Sequence, residues 1–368
     1  MTHEVRAHGI LVLAALFSSL AACGGSTEAG NPQSGGVPAP APAPAPAPAA
    51  GSSYDVNARI AAFNARVREV RGTSPFEGVM LPTPPTITSR ITVRTAAEMQ
   101  AAQGVAGAEV TVAAPIVGTL RPGTDQRWLF AAGASITAPV DSYGLDLGVA
   151  RRVELVGGRI VGGVLGRPED VRLRNMDIRT RTDSSAVYLD THSMDPCNRV
   201  LIESTYMFAR SYAMIYGRCT NMVVANSEFV GAGEHATSRA AESDLVLWMD
   251  SRLVTQGRQQ TFRAHANTNR FAGWNLQIEG GTGVYVGPAG SVGTNVQELM
   301  LLDNAYYGAG QAIHAAYTSS MGANITRATV VGNRAFTSSG NNLDAGPDWI
   351  VRDNLQNSQV AAPAWRRQ

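Results

Sequence analysis

The sequence predicts an all-β chain wound into parallel coils, and two observations carry that prediction. First, a loose repeat runs from Leu155 to Phe336: an apolar residue, one residue, a small or polar residue, two residues, then a second apolar residue. Second, the short strands this implies are not joined by the regular tight turns that a β-sandwich needs. Each unit supplies period-two strands bent by a residue that tolerates unusual backbone angles. No unit can bury its own apolar face, so each must stack on the next.

What precedes the repeat sets its address. Residues 1–23 read MTHEVRAHGILVLAALFSSLAAC, with a charged start at Arg6, an apolar run from Ile10 to Leu20 and small residues after it. That is the layout of a secretory signal, and the run is too short to span a bilayer. Its end, Leu20 to Cys23, resembles a bacterial lipobox. The resemblance implies removal of residues 1–22 as a signal peptide and a lipid on the Cys23 sulfur, which would hold the protein on a membrane surface without spanning it. Residues 23–53 follow as a Pro/Ala-rich tether, with proline in every second place from Pro38 to Pro48. That alternation blocks helix and sheet and favours polyproline II. The stretch 38–48 would reach ~34 Å at about 3.1 Å per residue.

Residues 54–368 form the body. The chain carries a formal net charge of +1, and all 30 basic side chains are arginine. No basic stripe marks a nucleic-acid partner, and no later run is long or apolar enough to cross a membrane. Residues 54–89 form an N-terminal helix and loop segment, with a helical stripe of Val56, Ile60, Phe63 and Val67. From about residue 90, ITVRTAAEMQAAQGVAGAEVTV reads as strand, short helix, strand. The repeat units then centre on Gly157, Asn175, Ser204, Asn226, Asp250, Gly273, Asn304 and Asn333, with Phe271 and Leu276 flanking Gly273. Their apolar residues recur at intervals of 18, 29, 22, 24, 23, 31 and 29 residues. The variation falls in loops that swell outward while successive strands pair in parallel about 4.8 Å apart.

This pattern resembles the right-handed parallel β-helix of the pectin lyase-like superfamily over about residues 90–355, and RTAAEMQAAQGVAGAEVTV resembles the capping helix and first coil of that group. The resemblance implies an all-β fold: a single-stranded right-handed parallel β-helix with a short N-terminal helical cap, followed by a C-terminal tail, 356–368. In that frame Cys197 and Cys219, 22 residues apart, take the same coil position one rung apart, as Ser204 and Asn226 do with the same separation. A disulfide joins Cα atoms about 4.4–6.8 Å apart and survives in an exported protein. A Cys197–Cys219 bond is therefore expected.

A second short strand follows each repeat: AVYLDTH, AMIYGR, GEHATS, TFRAH, GVYVG and AIHAA. Alternation turns Tyr188, Asp190, Tyr216, Arg263, His265, Tyr285 and His314 outward, with His235 beside them. With His192, every histidine of the mature chain falls on or beside this face. Arginine forks hold carboxylates or sulfates through paired charge-assisted hydrogen bonds. Aromatic faces pack on sugar rings, and histidine and tyrosine exchange protons when suitably perturbed. The resemblance implies a groove for polysaccharide, and many members of the superfamily are lyases. On a uronate polymer Arg263 would neutralise the carboxylate, with Arg270 in support. His265 or His235 would take the C5 proton, and Tyr285 or Tyr216 would protonate the leaving O4. Tyr188, Tyr216, Arg270 and His314 would line the substrate.

The expected partner is an acidic polysaccharide, met by a monomer that is exported and lipid-anchored in the bacterial cell envelope, at the outer membrane or cell surface. The lysine used by several lyases of the superfamily has no counterpart here. Asp190, Asp195, Glu203 and Glu234 are scattered, so no cofactor is expected and calcium has little support. No zinc-type spacing appears, and no aspartate pair sits on the repeats for hydrolysis. A non-catalytic glycan-binding, adhesive or envelope β-helix lipoprotein stays open beside the lyase reading.

Overall fold

The computed structural model describes residues 54–367 apart from 141, 149, 182–184, 190–196, 233–237, 257–259, 266, 287–293, 309 and 317–322. At 215, 238–241, 265, 294, 316 and 323 only the backbone is described. Cys23 and the tether lie outside these residues.

Each coil gives one strand to each of three parallel sheets. The first sheet has 12 strands, from Ser89–Val93 to Trp349–Arg352. The second has 11, from Ile116–Val117 to Leu355–Gln356, and the third has 9, from Leu145–Gly148 to Asn341–Asp344. This is a right-handed parallel β-helix, the hand that parallel crossovers adopt almost without exception.

Inward residues stack in columns. In the first sheet Leu155, Leu173, Ile202, Val224 and Trp248 lie in register on successive coils. In the second sheet Ile160, Ile178, Met207, Phe229 and Leu253 do the same. Between the two sheets the chain turns through one residue at positive φ: Asn175 (54°), Ser204 (51°), Asn226 (49°) and Asp250 (50°) among them. These are the turn residues expected from the repeat.

Three later turns differ from expectation. Asn275, Asp303 and Gly332 take the positive φ, rather than Gly273, Asn304 and Asn333. Gly273 instead sits in the inward column, in register with Trp248 and Leu301. A Cβ there would come within 2.9 Å of Leu276 and 3.1 Å of the Phe262 ring, so the rung is already full. Asn304 and Asn333 face inward, 1 % and 2 % exposed. Their Oδ1 atoms accept from the backbone N–H groups of Leu276 (2.8 Å) and Asn304 (3.1 Å). On earlier coils the hydroxyls of Ser227 and Ser251 accept in the same way, from Thr205 N (3.0 Å) and Ser227 N (3.1 Å). These side chains satisfy backbone donors that the bend takes out of the ladder.

Helix α2 (Ala96–Gln103) closes the N-terminal end. Thr95 and Glu98 form a reciprocal capping box at its start, and Met99 and Ala102 plug the core. Gln126 donates to the carbonyls of Ala102 (3.0 Å) and Val105 (2.7 Å) at its end.

Helix α1 (Val56–Arg71) does something else: it lies across the outer face of the first sheet. Phe63, Val67 and the following Phe76 pack against Leu201, Val223, Leu247, Ala272 and Met300. Those strands are therefore apolar on both faces, which strict alternation does not predict. Arg59 and Arg66 reach from the helix to Asp250 and Asp303, both at the positive-φ turn. The two arginines are about 10.5 Å apart along the helix, and the two aspartates, two rungs apart, about 9.6 Å. Helix pitch and rung spacing match.

Cys197 and Cys219 are in register and form the expected disulfide, with Cα atoms 4.5 Å apart. The tail turns back over earlier coils: Gln277 Nε2 donates to Pro363 O (2.9 Å) and Arg367 Nη1 to Ser204 O (2.8 Å). Among the described residues no helix is long and apolar enough to cross a membrane.

Candidate functional site

The outer face of the third sheet carries the candidate site. Its strands place Tyr188, Ile215, Arg239, Arg263, Tyr285, His314 and Asn342 in one register column, one residue per coil. Phe262 and Ala264 are fully buried beneath it, as alternation requires. Tyr188, Arg263, Tyr285 and His314 are each part-exposed, in the outward positions that the sequence assigned.

The column is a stack. The Arg263 guanidinium lies 5.2 Å from the Tyr285 ring centroid. Tyr285 and His314 are stacked with centroids 5.1 Å apart and planes 9° from parallel. The His314 Nδ1 lies 3.2 Å from Gln311 Oε1 and 3.0 Å from Asn342 Nδ2. This arrangement changes what the face offers. Both faces of the Tyr285 ring are covered by column neighbours, which leaves its hydroxyl and edge. A ligand laid on this strip would meet charge and hydrogen-bonding groups rather than an open ring face.

Two expected site residues lie elsewhere. Tyr216 is fully buried, in register with Leu189 and Ala240 on the inward column. Trp248 Nε1 donates to its hydroxyl at 3.2 Å. Alternation expects Ile215 inward and Tyr216 outward; the core takes Tyr216 instead, whose hydroxyl finds a partner inside. Arg270 lies on the first sheet, where Asp244 accepts from its Nε at 2.7 Å and Pro75 O from its Nη1 at 3.4 Å. It holds the segment after α1 and cannot support Arg263.

His265 continues the strand two residues beyond Arg263, with its backbone in register with Ala241, and its side chain is outside the described residues. His235, and with it Asp190, His192, Asp195 and Glu234, also fall outside them. Of the strand expected at GEHATS only Ser238 is among the described residues, where a strand runs Ser238–Ala241. It brings the backbone of Arg239 into the column beside Arg263, a neighbour not expected from the sequence. A lone arginine in the small-residue run SRAA carries no periodic signal; only register with Ile215 and Arg263 reveals it.

Of the four scattered acidic residues only Glu203 is among those described. Glu203 lies on the first sheet, where Arg174 Nε donates to it at 3.0 Å, and burial pushes its carboxyl above the usual range. Among the described residues no group of three or more His, Cys, Asp or Glu side chains is placed to hold a metal ion.

The fold is similar to the crystal structure of pectate lyase Pel9A, with a TM-score of 0.47 and 9% sequence identity over 73% of this chain and 80% of that one. No family model and no curated protein matches the chain. At that identity the likeness concerns the fold, and no residue role passes from one chain to the other.

Proposed function

We propose that this protein is an exported, lipid-anchored carbohydrate-active β-helix that binds an acidic polysaccharide along the outer face of its third sheet and cleaves it by β-elimination. The observation that carries the reading is the column Arg263–Tyr285–His314, three chemically competent side chains on consecutive coils. Arg263 carries a guanidinium on this face, the group that holds carboxylates or sulfates through paired charge-assisted hydrogen bonds, and the backbone of Arg239 stands in register with it on the preceding coil.

In the elimination Arg263 neutralises the uronate carboxylate, which makes the C5 proton easier to remove. A base takes that proton, and the electron pair forms the C4–C5 double bond. The C4–O4 bond breaks with its pair leaving on O4, which takes the proton of the Tyr285 hydroxyl. Tyr285 is the one remaining candidate donor, since Tyr216 is inside the core. The address rests on the LAAC stretch ending at Cys23 and on the Pro/Ala tether.

The test is a panel of uronate polymers (pectate, alginate, glycosaminoglycans) followed by ultraviolet absorbance for unsaturated ends, with binding measured in parallel. An unsaturated product from one polymer is the expected result. Binding without product from any of them would make the protein a glycan-binding β-helix that does no chemistry.

A further inference from the structure

We infer that His314 is the proton acceptor of the column, and that Gln311 and Asn342 hold it as the tautomer with the proton on Nδ1 and the lone pair on Nε2. The inference rests on the lyase reading for the role; geometry shows that Nδ1 is the bonded nitrogen, and the role selects between the two tautomers that this leaves. Three neighbours fix the ring. Tyr285 lies nearly parallel to it at 5.1 Å and sets its plane. Gln311 on the same coil and Asn342 on the next both meet the same nitrogen, at 3.2 and 3.0 Å. The backbone of Gln311 is itself held, its carbonyl accepting from Gly283 N at 2.8 Å. Nε2, across the ring, has no hydrogen bond among the described residues.

Gln311 meets Nδ1 with its oxygen and Asn342 with its nitrogen; one ring nitrogen cannot bond to both, so for both to bond one carboxamide is turned over. A carboxamide turned by half a rotation exchanges oxygen and nitrogen at nearly the same places. Either both present oxygen to an Nδ1–H, or both present N–H to a lone pair. A base must serve twice, first neutral and then as the imidazolium. With two carbonyl oxygens on Nδ1–H, neither state requires the pair to move. With two N–H groups there, the imidazolium would face donors with a donor. Only the first arrangement is organised in advance for proton uptake.

The step balances. The C5–H bond breaks, its proton goes to Nε2, and its electron pair forms the C4–C5 double bond. The C4–O4 bond breaks onto O4, which takes the Tyr285 proton. The imidazolium then loses its proton to solvent and the phenolate regains one. Gln311 and Asn342 are positioning residues throughout.

The test is long-range proton–nitrogen NMR on the full chain without substrate, with the His314 signals assigned by their loss in His314→Gln. The expected pattern is a protonated Nδ1 and an unprotonated Nε2 in the neutral ring. Gln311→Glu, which can offer only oxygen, keeps that pattern. Gln311→Met/Asn342→Leu gives a mixture of both tautomers at an unchanged melting temperature. A wild-type ring protonated on Nε2, or a double variant with the wild-type pattern, overturns the inference whatever the activity. Absence of unsaturated product from every polymer tells against the lyase reading and leaves the tautomer result standing.

Discussion

Arg59 grips Asp250 through two hydrogen bonds of 2.7 and 2.6 Å, and the same carboxylate accepts from the Tyr54 hydroxyl. Asp250 is also the residue that turns the chain from the first sheet to the second. One side chain thus bends a coil and docks the helix that covers it. Burial pushes the Tyr54 hydroxyl above its usual value, and the Asp250 charge adds to that. A raised folded value means that the folded state holds the proton more tightly. The contribution is fully present below the unfolded value of about 10 and is lost as pH rises past it. We expect α1 to loosen in alkali, read by hydrogen exchange over residues 54–71. Tyr54→Phe should cost about 2 kcal/mol at neutral pH and flatten that alkaline limb. An unchanged limb in Tyr54→Phe would place the titrating group elsewhere.

Tyr216 is a core residue, and its substitution should act on stability. Tyr216→Ala should cost about 3–5 kcal/mol in urea denaturation. Tyr216→Phe should cost about 1–3 kcal/mol, because Trp248 Nε1 is left buried without its acceptor. A Tyr216→Ala variant as stable as wild type would mean that the ring lies outside.

Asparagines bond from coil to coil both inside the core (Asn304 with Asn333) and on the surface (Asn324 with Asn295), and the inner and outer ladders should behave differently. Asn304 is buried and satisfies both Leu276 N and Gly273 O, so Asn304→Ala should cost about 2–3 kcal/mol. Asn324 is exposed and, among the described residues, its side chain bonds only to Asn295, at 3.2 Å. Asn324→Ala should change stability by about 0.5 kcal/mol or less. Equal losses would show that the inner ladder does not support the turns.

The coil architecture was legible because the inward columns repeat a chemical type at the same offset on each coil. Ile160, Ile178, Met207, Phe229 and Leu253 keep that offset however long the loops between them are. The disulfide was legible for the same reason, since its spacing equals that of Ser204 and Asn226. Register failed where the local residue contradicts its place. Gly273 occupies an apolar slot because Phe262 and Leu276 fill the space, so the apolar pattern points to Phe271, two residues early. Tyr216 looked like surface because its partner, Trp248, is on another coil. The docking of α1 left its signal only in strands apolar on both faces. At the site, alternation placed Arg263, Tyr285 and His314 correctly, while Arg239 needed cross-coil register to be found.

The most direct test of the central claim is the binding of polyuronate to Arg263→Ala, with Arg159→Ala as control. Arg159 lies on the second sheet, where its Nε donates to Asp177 at 2.8 Å. Loss of one charge-assisted contact at the site predicts at least about a tenfold weaker Kd for Arg263→Ala, and an unchanged Kd for Arg159→Ala. Equal binding by both variants and the wild-type protein would contradict the assignment of the third sheet as the glycan face.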